Sequence, residues 1–243
     1  CCESLGAKWD GQTVGTFGLA GTFSFFFSHH ITTMEGGMIT CREEETASQL
    51  RSLRAHGWAR ESVNCRDLAD RYRCDPRYLF MNWGFNVRPT EVQAAFGLHQ
   101  LDRLSTFNER RKQLANRFHD YVDATPWLTR PIIPAKGQPS WFSLPILIRD
   151  DALFSRDQLA SALEAAGVET RSIVTGNLAR QPAAELFSQL HTGHLPGADQ
   201  VHDYGLYLGL SPGYDHDQID RLISVFESCT AQLSGNRSKR KAA

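Results

Sequence analysis

GLAGTFSFFFSHHITTMEGG, residues Gly18 to Gly37, is the stretch that decides the fold. Within it, Thr22–Phe27 is apolar and aromatic and lies downstream of a glycine, which predicts a buried strand. That strand delivers Ser28, His29 and His30 into a turn. Glu35-Gly36-Gly37 then lets the backbone fold back closely, because glycine has no Cβ to obstruct the approach. Two adjacent histidines at a strand end suit three roles: metal ligands, a general acid or base, or polar residues satisfied by their own turn.

Working outward, strand-like and helical patterns alternate. Gly21–Phe27 and Met38–Thr40 read as strands, Glu43–Leu53 has helical spacing, and Gly57-Trp58 reads as its stop. Ala59–Gly84 is irregular, charged and aromatic, the kind of long loop that carries function inside a compact protein. Thr90 with Gln93 three residues on forms a capping box. Ala94, Leu98 and Leu101 share a face of the helix it opens, and the pattern resumes at Leu114, Phe118 and Tyr121. One long kinked helix is therefore expected from Glu91 to Val122, ending before Pro126.

The four prolines within Thr125–Pro139 mark a domain boundary. Beyond it, Trp141–Ile148, Val168–Ile173 and Tyr204–Leu210 read as strands. Ser155 with Gln158 opens a helix carrying Leu159 and Leu163, and Asp215 caps a last helix with the stripe Ile219, Leu222, Ile223 and Phe226. The expected organisation is residues 1–124 as part of a larger domain, 125–235 as a small α/β domain and 236–243 as a disordered basic tail. The class is α/β, with a mainly parallel or mixed sheet.

Composition narrows the function. Across 243 residues, 41% are apolar and the formal charge is −1, which excludes a collagen, a coiled coil or a disordered chain and offers nucleic acid no basic footprint. No apolar run approaches the ~20 residues of a membrane helix. The chain opens on Cys1-Cys2-Glu3 without an initiator Met or a signal segment, so a longer natural protein is expected. Six cysteines, at 1, 2, 41, 65, 74 and 229, form no CxxC pair and point to reduced thiols in the cytoplasm. Cys1 and Cys2 read as small buried apolar side chains. His191 and His194 have no carboxylate or thiol at ligand spacing and read as a surface loop, so no metal is expected.

Several motifs in order resemble the DegT/DnrJ/EryC1/StrS family of vitamin B6-dependent sugar aminotransferases. Ser24-Phe25 and Glu35-Gly36-Gly37 fit that family's SF-x-x-x-K-x-x-x-x-x-EGG pattern, with His29 at the lysine position. Cys1–Ala7 looks like the segment after the family's pyridine-binding Asp. Leu53–Gly57 resembles its LRxHG helix end, Gly84–Arg88 with Gln93-Ala94-Ala95 its GxNxRxxxxQAA element, and Gly167–Arg171 its GIxxR strand. Together these cover the chain to about residue 233. The resemblance implies a type I PLP-dependent aminotransferase fold: the C-terminal portion of the large mixed-sheet domain plus a smaller C-terminal α/β domain.

Position 29 is where the chain departs from that pattern. A lysine amine forms a Schiff base with pyridoxal 5'-phosphate and an imidazole does not, so the resemblance implies a cofactor held non-covalently, as pyridoxamine 5'-phosphate. SFFFSHHITTMEGGMI resembles the sugar 3-dehydratase subgroup, which shares this exchange. One branch, acting on a CDP-sugar, binds an iron–sulfur cluster through cysteines that include a C-x-C after the LRxHG element. That loop holds only Cys65 and Cys74 here, so the cluster-free branch acting on GDP-4-keto-6-deoxymannose is the better match.

The implied roles follow position by position. His29 is the general base and acid for loss of the C3 hydroxyl, suited to both by imidazole's titration near neutral pH. Ser24 holds the cofactor phosphate, and Asn86 reaches a neighbouring subunit's phosphate in a homodimer. Glu3 borders the cofactor ring. Ser28, Arg60, Glu169 and Arg171 are substrate candidates, the arginines for a diphosphate or for the carboxylate of an amino donor such as glutamate. His30 stands behind them. A nucleotide-sugar aminotransferase, an inactive family member with a binding role and a scaffold fragment are the alternatives.

Overall fold

The computed structural model describes the backbone of residues 1–62, 64–190 and 193–241, and their side chains except at 187–190 and 236–241. The chain divides into two compact units: residues 1–106 with 136–139, and residues 107–135 with 140–243. The division thus falls inside the long helical stretch and not at 124/125. Lys136–Pro139 returns to the first unit within the proline-rich segment.

In the first unit, strands β1 (Lys8–Trp9) and β2 (Gln12–Thr13) form a hairpin. Asp10 and Gly11 both have positive φ, 50° and 80°, the geometry of a type I′ turn, for which Asp-Gly is a strong signal. This hairpin was not among the sequence expectations. Strand β3 (Ala20–Ser24) pairs antiparallel with β4 (Gly37–Cys41), from Ala20 opposite Cys41 to Ser24 opposite Gly37. The expected buried strand thus stops at Ser24. Gly21 is its one buried residue, and among the described residues β3 and β4 form a two-stranded ribbon.

Helix α1 (Glu44–Arg54) follows as expected, but the expected loop Ala59–Gly84 contains helix α2 (Cys65–Tyr72) and a 3₁₀ turn, Pro76–Tyr78. Ala59, Ala69 and Leu79 bury a small core there, too few apolar residues to register as a helical period. Helix α3 (Glu91–Leu101) begins with the Thr90–Gln93 capping box fully formed. It breaks at Asp102-Arg103 before α4 (Leu104–Ala124), which realises the expected kink. The face Ala94–Leu98–Leu101 stays out of any core, with Leu98 67% exposed.

The first unit is completed by β6 (Gly137–Gln138), which pairs with β1. In the second unit, Leu114, Ala115, Phe118 and Val122 of α4 are fully buried. They pack in one core with a four-stranded sheet built from β5 (Leu128–Thr129), β7 (Ser143–Ile148), β8 (Thr170–Ser172) and β9 (Gly205–Gly209). The spatial order is β5-β7-β9-β8. Strand β7 alternates half-buried and buried positions, the signature of a sheet with one covered face.

Helix α5 (Arg156–Ala165) carries the second capping box, Ser155 with Gln158, and buries Leu159 and Leu163. Helices α6 (Pro196–Tyr204) and α7 (His216–Lys241) complete the unit, and Ile219 and Phe226 of α7 are buried as expected. Among the described residues every strand pair is antiparallel. The reason is β9, which lies between β7 and β8: a β7–α5–β8 crossover makes those two strands parallel in direction, and the antiparallel β9 takes up the hydrogen bonds of both.

Helix α7 runs on to Lys241, where a disordered tail is expected, since no proline interrupts the segment. No described helix is long and apolar enough to cross a membrane. Cys1 and Cys2 are exposed in the first turn, contrary to the expectation of buried thiols, because that turn contributes nothing to either core. His194 sits exposed in a loop beside Asp199, and His191 lies outside the described residues.

Candidate active site

The end of β3 is a compact polar turn. After Ser24, the N–H of Phe26 donates to Ser24 Oγ (3.4 Å) and the N–H of His29 to the carbonyl of Phe26 (3.0 Å), which curls residues 24–29. The return is tied by Thr33 N–H to the Phe25 carbonyl and Phe25 N–H to the Gly36 carbonyl, both 2.9 Å. Gln93 of α3 donates to the Glu35 carbonyl at 2.7 Å, so the capping box and the EGG turn are fastened together.

The His29 ring lies edge-on to Phe26, and its Nδ1 is 3.3 Å from the Ser24 carbonyl. A carbonyl only accepts, so in this contact the Nδ1 of His29 is the donor. His30 and Ile31 are buried behind the turn, whereas Ser28 is exposed beside His29. The structure thus brings Ser24, Ser28 and His29 onto one turn.

A second junction joins two motifs thirty residues apart. Leu53–Gly57 runs against Asn82–Val87: Phe85 N–H donates to the Leu53 carbonyl (2.6 Å), His56 N–H to the Phe85 carbonyl (2.7 Å) and Val87 N–H to the Arg54 carbonyl (3.0 Å). The backbones cross so closely that a Cβ on Gly57 would lie 1.7 Å from the Asn82 carbonyl oxygen, and one on Gly84 2.2 Å from the Gly57 nitrogen. The LRxHG and GxN patterns are therefore the two halves of one crossing, which only glycines permit.

Asn86 is bridged to Ala55 at this crossing with its side chain exposed. Next to it, the Arg60 guanidinium lies 4.3 Å over the Trp58 ring and donates to the Arg77 carbonyl at 3.0 Å, and Arg88 reaches the same ring at 5.8 Å. His56 meets Trp58 edge-on. His56 and Trp58 were not among the site candidates, because Gly57-Trp58 was read only as a helix stop. Arg77 also forms a bidentate pair with Asp75, whose carboxyl is held down to about 2 by the Arg77 hydrogen bonds.

The remaining candidates lie elsewhere. Glu3 is exposed in the first turn, apart from the His29 turn by any contact described. Glu169 and Arg171 belong to the second unit, two positions apart and so on one face of β8's strand run. Their side chains pair with each other at 2.6 Å, and that hydrogen bond raises the arginine's pKa. The pair is exposed, a contact that an incoming ligand exchanges at little cost.

Residues 1–227 match the DegT/DnrJ/EryC1/StrS aminotransferase family. The GDP-4-keto-6-deoxy-D-mannose 3-dehydratase of Yersinia pseudotuberculosis is 35% identical over 230 residues, 93% of this chain and 58% of that protein. The solved structure of the E. coli GDP-4-keto-6-deoxy-D-mannose-3-dehydratase with bound hydrated PLP superposes with a TM-score of 0.84 at 35% identity, over 93% of this chain and 59% of that one. A further structure of GDP-4-keto-6-deoxymannose-3-dehydratase, holding a trapped PLP-glutamate geminal diamine, gives 0.83 at 35% identity over 93% and 59%. The chain spans about three-fifths of the length of these relatives. With the ordered motifs folded into one turn and one crossing, and with the PLP-dependent aminotransferase fold shared, the chain belongs to the DegT/DnrJ/EryC1/StrS aminotransferase family.

Proposed function

We propose that the protein is a nucleotide-sugar 3-dehydratase that removes the C3 hydroxyl of a 4-keto-6-deoxy hexose such as that of GDP-4-keto-6-deoxymannose. The observation that carries this reading is the imidazole of His29 at the end of β3, with Nδ1 turned to the Ser24 carbonyl. No lysine occurs anywhere between Lys8 and Lys112 to take its place. Relatives that align over 93% of the chain carry the same activity in their names.

The residues present suit pyridoxamine 5'-phosphate, interchanging with pyridoxal 5'-phosphate. Ser24 Oγ already accepts from the Phe26 N–H, which leaves its own hydrogen to donate to a phosphate oxygen. When bound, the cofactor supplies an amine for the C4 ketone and a ring that accepts an electron pair. His29 Nε2 takes up a proton and delivers it to the C3 hydroxyl, which leaves as water. Ser28 lies beside that proton transfer, and Arg60, Glu169 and Arg171 hold the diphosphate and sugar hydroxyls.

Asn86 extends from the motif crossing to a neighbouring subunit's phosphate, which makes the working unit a homodimer. Glu3 borders the ring, and glutamate restores the amine. A cytoplasmic location belongs to the same reading, supported by cysteines that form no disulfide among the described residues.

Full-length protein incubated with pyridoxamine 5'-phosphate and GDP-4-keto-6-deoxymannose is expected to yield a 3-deoxy keto sugar and ammonia by mass analysis. A product that keeps the hydroxyl and gains an amine assigns the protein to the sugar aminotransferases instead.

A further inference from the structure

Strand β8 leaves the sheet at the same end where α6 leads into β9, since Ser172 pairs with Leu206. Between β8 and the 3₁₀ turn Leu178–Arg180 the backbone takes an unusual shape, with φ 46° at Val174 and 63° at Gly176. The left-handed region is costly for a β-branched residue, so Val174 keeps it only while its surroundings hold it. Ser172 Oγ donates to the Val174 carbonyl at 3.0 Å, and the buried Asn177 donates from Nδ2 to Asp199 of α6 at 2.8 Å.

A further hold is the imidazole of His202 on α6. A Cβ on Gly176 would lie 2.8 Å from its Nδ1, so ring and loop are in close contact. That one nitrogen has two neighbours with opposite demands. The Asn177 N–H, 3.2 Å away, needs a lone pair, and the Thr175 carbonyl, 3.1 Å away, needs an N–H. A ring nitrogen supplies one or the other and never both. Neutral imidazole with its proton on Nε2 accepts from Asn177. Imidazolium gives its Nδ1 hydrogen to Thr175 and leaves the Asn177 N–H without its acceptor.

Asp199 and Asp203 lie on the same helix as His202, and both pair with Arg180 of the 3₁₀ turn. Arg156 of α5 donates to the His202 carbonyl, and His194 stands beside Asp199. Of the strands packed on α6, β7 has no titratable residue and β9 only Tyr207. Two arginines offset the two aspartates, which leaves the imidazoles as the groups that change charge between pH 5 and 8. Of the two, His202 is the one bonded to the loop backbone.

We propose that His202 is a proton-operated fastening for the loop Val174–Asn177, and through it a positioning residue for the strand that carries Arg171. Only the use of Arg171 as a substrate ligand rests on the function proposed above.

The test is hydrogen exchange of the full-length holoprotein, read by mass spectrometry on peptides spanning residues 173–179 and corrected for the intrinsic pH dependence of exchange. Protection in the parent protein is expected to be about tenfold lower at pH 5.5 than at pH 8, the effect of one lost hydrogen bond. H202N keeps an oxygen acceptor near the Nδ1 position and does not titrate, so its protection stays within about twofold across that range. H194N keeps the parent's fall. The proposal is overturned by a parent whose protection changes less than about twofold, by an equal fall in H202N, or by a fall that H194N abolishes.

Steady-state turnover of GDP-4-keto-6-deoxymannose reads the positioning role. Between pH 8 and pH 5.5, KM should rise about threefold more in the parent than in H202N, with the same kcat profile in both. Identical KM profiles overturn that role. Failure to dehydrate at any pH overturns the function proposed above and leaves the exchange result as it is.

Discussion

His119 provides a quantitative test of the second unit's core. It is 4% exposed on α4, edge-on to Trp141 with ring centroids 4.6 Å apart, and its Nε2 has no hydrogen-bond partner among the described residues. Burial, helped by the charge of Arg130 and opposed by Asp123 and Asp120, pushes its pKa from 6.5 down to about 4. The folded state therefore holds a neutral imidazole that the unfolded chain would protonate. Stability is fully present above pH 6.5 and is lost as pH falls from there towards about 4.

Linkage between those two values amounts to about 1.8 kcal/mol between pH 7 and pH 5, or about 1–2 kcal/mol once solvent near the Arg130–Asp123 pair is allowed for. Ordinary carboxylates stay ionised at pH 5 in both states, so they add little to the difference. His119→Phe keeps a ring against Trp141 and removes the titration. Urea unfolding followed by circular dichroism at pH 7 and pH 5 should show the parent protein losing about 1–2 kcal/mol more than the variant. Equal losses in the two proteins would refute a neutral buried imidazole.

Three further outcomes are expected. His29→Lys should place an amine that borohydride fixes to pyridoxal phosphate, giving an adduct by mass spectrometry; absence of any adduct means that position 29 does not face the cofactor. Gly84→Ala forces a Cβ to 2.2 Å from the Gly57 nitrogen, so its melting curve should report a loss of about 1–3 kcal/mol or more, while Gly209→Ala, with nothing within 4 Å, stays near neutral. Ser155→Ala removes the acceptor of the Gln158 N–H at the start of α5 and should cost about 1 kcal/mol in urea unfolding, a loss that Ser155→Thr largely restores.

Features governed by neighbours in the chain were legible in the sequence. The capping boxes at Thr90 and Ser155 and the stripes on α5 and α7 arise from contacts within four residues, and each appears where its pattern places it, whereas the kink expected somewhere between Glu91 and Val122 takes its position, after Leu101, only in the structure. The Asp10-Gly11 hairpin was equally local and its signal was overlooked. Position 29 also belongs to the sequence, because whether an amine or an imidazole stands there is a matter of covalent chemistry.

Tertiary structure alone decided what depends on distant partners. The alternation of strand and helix in the second unit carries no information on which strand fills the space between β7 and β8, and β9 arrives there from nearly sixty residues downstream of β7. The run Thr22–Phe27 carries the composition of a buried strand, yet the strand stops at Ser24 and Phe25 enters the polar turn, tied there by hydrogen bonds to Thr33 and Gly36. Arg66 and Arg77 look in sequence like scattered surface charges; the fold of α2 against the 3₁₀ turn lines one cleft with them and the substrate candidate Arg60. Local hydrogen bonding and side-chain chemistry are written residue by residue, whereas register, burial and the convergence of charges follow from which distant segments share the same space.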